Sequence, residues 1–150
     1  MSDNWFTFVS LDPNWVPTSE GVVAQLEAIA RSEFPDAEEI STEFHELPVF
    51  INPVENLETV HCPNCNSDLM DWWQDQMEAN EDEGFASLDC TVPCCETKTS
   101  LNDLKYDWPA AFACFQLDVM NPNMPDASKA MIEAFETIAA THIRIIRTHM

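Results

Sequence analysis

The cysteines at 62–65 and 90–95 constrain this chain most, because two short sulfur-bearing turns must be brought together if both serve one ion. Ribbon-type zinc sites set two knuckles at hairpin tips so that four sulfurs converge tetrahedrally, and a separation of about 15–30 residues suits that arrangement. Cys62-Pro63-Asn64-Cys65 has the spacing of a first knuckle, followed by Asn66, a residue that tolerates the left-handed backbone. The second, Cys90-Thr91-Val92-Pro93-Cys94-Cys95, offers three sulfurs for two places. Pro93 echoes Pro63, which favours Cys94 with Cys95 and leaves Cys90 on the strand leading in. Pairs of Cys90 with Cys94 or with Cys95 stay open. His61 abuts the first knuckle and reads as a spectator; Cys114 reads as a small apolar strand residue.

Four thiolates would close the shell around a structural Zn2+, whereas a catalytic zinc keeps an open position beside histidine or carboxylate ligands. The deaminase pattern, H-x-E or C-x-E with PCxxC, is not present. The start, MSDNWFTFVSLDP, has no basic segment running into an apolar one, and no apolar stretch approaches the ~20 residues of a membrane span. The expectation is a soluble, cytoplasmic protein whose CxxC spacing means metal rather than disulfides.

Around the cysteines, two stretches repeat one plan. Trp5–Leu11 is aromatic and β-branched enough for a strand, and a helix follows, capped by Thr18 or Ser19 and stopped by Pro35. Val22, Leu26, Ile29 and Ala30 share its inner face. A second strand then alternates Ile40, Thr42, Phe44 and Glu46 against Ser41, Glu43, His45 and Leu47. Near the other end Ala111–Met120 is a strand with Ala113, Phe115, Leu117 and Val119 on one side. A helix over 126–140 places Met131, Ala134, Phe135 and Ile138 on one stripe, and HIRIIRTHM closes as a strand. Asp12-Pro13, Asn52-Pro53 and Asn121-Pro122 mark strand ends in a chain with only two glycines, Gly21 and Gly84.

The resulting fold class is α+β, a single domain over 1–150, with two β-α-β halves and a zinc ribbon and helix inserted at 53–110. The halves can be read as ferredoxin-like, βαββαβ, or as two strand–helix–strand runs of the kind any α+β chain shows. The 45% hydrophobic content excludes a disordered chain.

CPNC, the paired tryptophans, PCC and the stretch SLNDLKYDWPAAF together resemble an uncharacterised bacterial protein family without an assigned function. The resemblance extends over most of the chain. It implies a zinc ribbon and a prokaryotic origin, and it carries no activity across.

Acidity is the pointer toward partners. The chain has 27 acidic and 6 basic residues, a net charge of −21, and four thiolates around Zn2+ would add two further negative charges. Such a field repels nucleic acid and anionic lipid. Between the knuckles a helix over 67–84 would carry Asp68, Asp71, Asp75, Glu78 and Asp82 on one face, with Leu69, Trp73 and Met77 opposite. That row can be a solvated face, or it can join Asp36, Glu38, Glu39, Glu43 and Glu46 in engaging a basic protein partner, as immunity, inhibitor or nucleic-acid-mimic proteins do. Trp72, Trp73 and Trp108 are either interface anchors or core. Arg144 and Arg147, between His142 and His149, read as internal charge balance.

No Ser-His-Asp order, phosphate loop or acid triad is legible, and two glycines leave little room for a phosphate loop. The expected role is therefore a zinc-stabilised acidic protein-binding module. The alternatives are a metal-dependent or carboxylate-based enzyme and a subunit of a larger assembly; the oligomeric state is not encoded legibly.

Overall fold

The computed structural model describes residues 3–51, 58–80, 85 and 87–149. Its first strand, β1 (Asn4–Ser10), turns Phe6 and Phe8 toward one face and Val9 toward the other, as strand alternation requires. The first helix, α1 (Glu20–Glu33), starts on Ser19, whose hydroxyl accepts the Val22 amide at 3.2 Å. It stops at Phe34, where the proline that follows disfavours helical backbone. Leu26 and Ala30, one turn apart, are buried.

The chain returns as β2 (Glu39–Ile51) and, after the cysteine-bearing stretch, as β7 (Ala111–Met120), α3 (Lys129–Ala139) and β8 (Ile143–His149). These four long strands form one antiparallel sheet in the order β2-β7-β1-β8. Helices α1 and α3 lie against the same face. Phe8 stacks on Phe135 of α3 with centroids 5.5 Å apart, and Phe6 meets Phe34 edge-on at 5.7 Å. Burying each such ring contributes about 1.5–3 kcal/mol, so this cluster anchors both helices.

Phe44 on β2 and Ala113 on β7 both stand apart from the core beneath the helices, which for Ala113 corrects the expected shared side with Phe115. Phe44 is 56% exposed, although its ring touches Phe115 at 4.9 Å. Phe44 pairs in register with Phe115, and the β2–β7 register shifts only after it, between Phe44 and Val49, so its exposure goes with the place of β2 at the edge of the sheet. Ala113 groups with Val9, Ile51, Ala111 and Ile146 rather than with Phe115. The first half of β7, Ala111–Phe115, is buried throughout because a second group of elements covers it from the other side.

Those elements are β3 (Val60–His61), α2 (Met70–Asn80), β4 (Asp89–Thr91), β5 (Lys98–Ser100), a single 3-10 turn at Leu101–Asp103, and β6 (Lys105–Tyr106). β3 pairs with β6 and β4 with β5, both antiparallel. Their core joins Val60, Leu69, Trp73, Phe85, Val92 and Leu101 to Phe112 of β7, with Phe50 of β2 partly buried beside them. The fold is thus mixed α+β, with three α-helices among the described residues. No helix of the described residues is long and apolar enough to cross a membrane.

At the end of α3, Ala140 adopts the left-handed conformation (φ 56°, ψ 36°) while its amide closes on the Glu136 carbonyl. A Cβ makes that conformation cost about 1–2 kcal/mol, part of which glycine returns as unfolded-state entropy. Ala140→Gly is expected to stabilise the fold by about 0.5–1 kcal/mol, read as a rise of a few degrees in melting temperature. A lower melting temperature would contradict this.

Candidate metal centre

Two short turns built on one backbone plan carry the cysteines. In the first, the Cys62 amide donates to the Ser67 carbonyl and the Asn66 amide to the Cys62 carbonyl, each at 2.9 Å. In the second, the Val92 amide donates to Thr97 and the Glu96 amide to Val92, each at 3.0 Å. Both turns end on a left-handed residue, Asn66 at φ 63° and Glu96 at φ 57°. Superposing the plans matches Pro63 with Pro93 and Cys65 with Cys95. It also matches Cys62 with Val92, and Asn64 with Cys94.

The second turn therefore has an apolar residue, fully buried, where the first has a sulfur. Its other sulfur stands two positions later, on the exposed side. The side chains at the matched positions act in parallel. The Asn64 carboxamide reaches across to Cys95 Sγ at 3.4 Å, and Cys94 Sγ reaches across to Cys65 Sγ at 3.3 Å. Val92 serves the core instead, between Leu88 and Leu101 in the cluster that meets Phe112.

Sulfurs of Cys62, Cys65, Cys94 and Cys95 all lie within 4.8 Å of one another. Cys62 and Cys95 are 3.7 Å apart, Cys94 and Cys95 3.9 Å. A tetrahedral ion with metal–sulfur bonds of about 2.3 Å separates its sulfurs by about 3.8 Å, so the donor set fits such an ion with little movement. The four cysteines can hold a metal ion. Cys90 lies on β4, half-buried and outside the group, and so does His61 on β3.

Polar neighbours prepare the sulfurs for charge. The Ser67 hydroxyl, at 3.2 Å, leads the interactions that hold Cys65 below the usual thiol range. Thr97, followed by Asn64, draws Cys95 down to about 6. Cys94 is pushed up to about 12, by desolvation first and then by hydrogen bonding to Cys65. A bound cation would favour the thiolate form of its sulfur ligands.

The other residues singled out in the sequence are spread around this centre. Trp73 is core, 8% exposed, with its indole donating to the Tyr106 hydroxyl at 3.2 Å. Trp72 is half-buried against the same cluster, and Trp108 is 38% exposed, donating to the Arg147 carbonyl at 3.1 Å. Asp68, Asp71, Asp75 and Glu78 are all exposed on or beside α2, whereas Asp36, Glu38, Glu39, Glu43 and Glu46 are exposed on β2 or just before it. Asp82 and Asn52-Pro53 lie outside the described residues.

Sequence reasoning missed the Val92–Cys62 and Cys94–Asn64 equivalences. Registering the two prolines carried the signal, since it places Val92 in the first ligand position. No family model, curated protein or solved structure matches this chain, so the resemblance to a bacterial family gains no support from them.

Proposed function

We propose that the chain is an acidic protein-binding module, held together in part by a structural zinc ion, that engages a basic protein partner. The observation that carries this reading is the exposed row Asp68, Asp71, Asp75 and Glu78 beside a four-cysteine cluster, in a chain of net charge −21. Four thiolates leave no open coordination position for a substrate, which favours a structural ion, and an all-sulfur tetrahedron suits zinc. The ion would leave the cluster with two net negative charges close to the row of carboxylates. Complementary charge of that kind speeds encounter and selects against acidic competitors.

The strand order β2-β7-β1-β8, with α1 and α3 on one face, supports reading the two halves as ferredoxin-like within one domain. On that reading residues 53–110 are a zinc-ribbon insertion, and the ribbon with α2 presents the acidic surface.

A basic protein retained from lysate at low salt and released as salt is raised would identify the partner. Reversing Asp71, Asp75 and Glu78 to lysine is then expected to slow association by tenfold or more, with little change in melting temperature. An unchanged association rate would remove α2 from the interface.

A further inference from the structure

We propose that a shallow groove of about 490 Å³, between β8 and residues 104–110, binds a small amphipathic monocarboxylate, a single anionic head on an apolar body. The groove gathers Lys105, Arg144 and Arg147, three of the six Lys and Arg residues in the chain. Leu104, Ile132 and Ile143 supply apolar wall.

Carboxylates outnumber cations more than four to one in this molecule, 27 against 6, so an arginine placed at random would readily find an acidic partner. Arg147 has one, Asp126 at 2.6 Å. Arg144 and Lys105 form no ion pair among the described residues. Arg144 is instead pinned by the Ala110 carbonyl at 2.6 Å, and Lys105 reaches the Asn66 side chain at 3.0 Å. The internal charge balance expected of this strand is thus met at Arg147 and left open at Arg144.

A guanidinium and an ammonium beside apolar walls favour one carboxylate, because hydrogen bonds to ionised groups strengthen where water is partly excluded. The volume suits a small organic acid. The surrounding field sets the charge limit. A monoanion meets two local cations, whereas a polyanion meets the repulsion of the whole −21 surface.

Tyr106 lines the groove and is the chain's single tyrosine, so fluorotyrosine gives one fluorine resonance that reports from this place. Titration of the intact chain with hexanoate is expected to shift that resonance saturably, and hexanol or inorganic phosphate is expected to leave it in place. Lys105→Gln should weaken hexanoate about threefold or more, and Lys105→Gln with Arg144→Gln at least tenfold. Lys105 is exposed, so its single variant decides the matter even if the double variant misfolds. A resonance unmoved by hexanoate, an equal response to hexanol or phosphate, or an unchanged midpoint in Lys105→Gln would overturn the proposal.

Discussion

Replacing Cys62 and Cys65 together with serine is expected to abolish metal binding and to lower the melting temperature by well over about 10 °C. Structural zinc sites contribute apparent binding energies of roughly 10–16 kcal/mol in small domains, and a chain of this size loses about 2–4 °C per kcal/mol. Even a fraction of that energy would be visible. The ion would bridge the two turns on their outer side, where Cys65 and Cys94 are exposed and Cys62 alone of the four is fully buried. Metal analysis of the purified wild-type chain should give one zinc per chain. Cys90→Ser supplies the control, because Cys90 stands outside the cluster and its loss should leave metal content unchanged. Zinc retained by the double variant, or lost from Cys90→Ser, would refute this ligand set.

The second large effect is expected at Asn102, a polar residue 4% exposed on the 3-10 turn. Its carboxamide donates to the Leu11 carbonyl at 3.1 Å, just past β1, and accepts the Phe112 amide at 2.8 Å, at the start of β7. One side chain thus ties the cysteine-bearing elements to two strands of the sheet. Asn102→Ala leaves a buried donor and an acceptor without partners at about 1–3 kcal/mol each, so a loss of roughly 2–5 kcal/mol is expected. Urea denaturation measures it. A loss below about 0.5 kcal/mol would mean that water or a shifted backbone replaces both bonds. Asn102→Asp should recover part of the stability by keeping the acceptor, at the expense of burying a charge.

What could be read from the residues divides along the range of the forces involved. Helices α1 and α3 were legible because Leu26 with Ala30, and Met131 with Phe135, repeat at helical spacing, although α3 begins at Lys129 rather than at 126. The first knuckle was legible because its ligands are adjacent in the chain. The choice of Cys94 and Cys95 over Cys90 rested on one echoed proline; the sulfurs that lie within 4.8 Å of one another are those of Cys62, Cys65, Cys94 and Cys95. Asn102 was not legible. In the sequence SLND it is an ordinary turn residue, and only the distant Leu11 and Phe112 give it a structural task. The exposure of Phe44 was not legible for a related reason, since it goes with the place of β2 at the edge of the sheet, beside a partner strand just over seventy residues on. The groove at Arg144 needed residues from β6, α3 and β8 at once, and nothing local announces such a meeting.

The order of strands also dictates a timetable for synthesis. Every ladder in the large sheet includes β7 or β8, so a nascent chain has no partner for β1 or β2 until those late segments leave the ribosome. The ladders of the cysteine-bearing elements, β3 with β6 and β4 with β5, close entirely within residues 60–106. Short-range closure is fast and long-range pairing slow. The turns that hold the sulfurs can therefore assemble first, and the aromatic strand Asn4–Ser10 must wait, sheltered only by its own helix, until β7 arrives to pair with it.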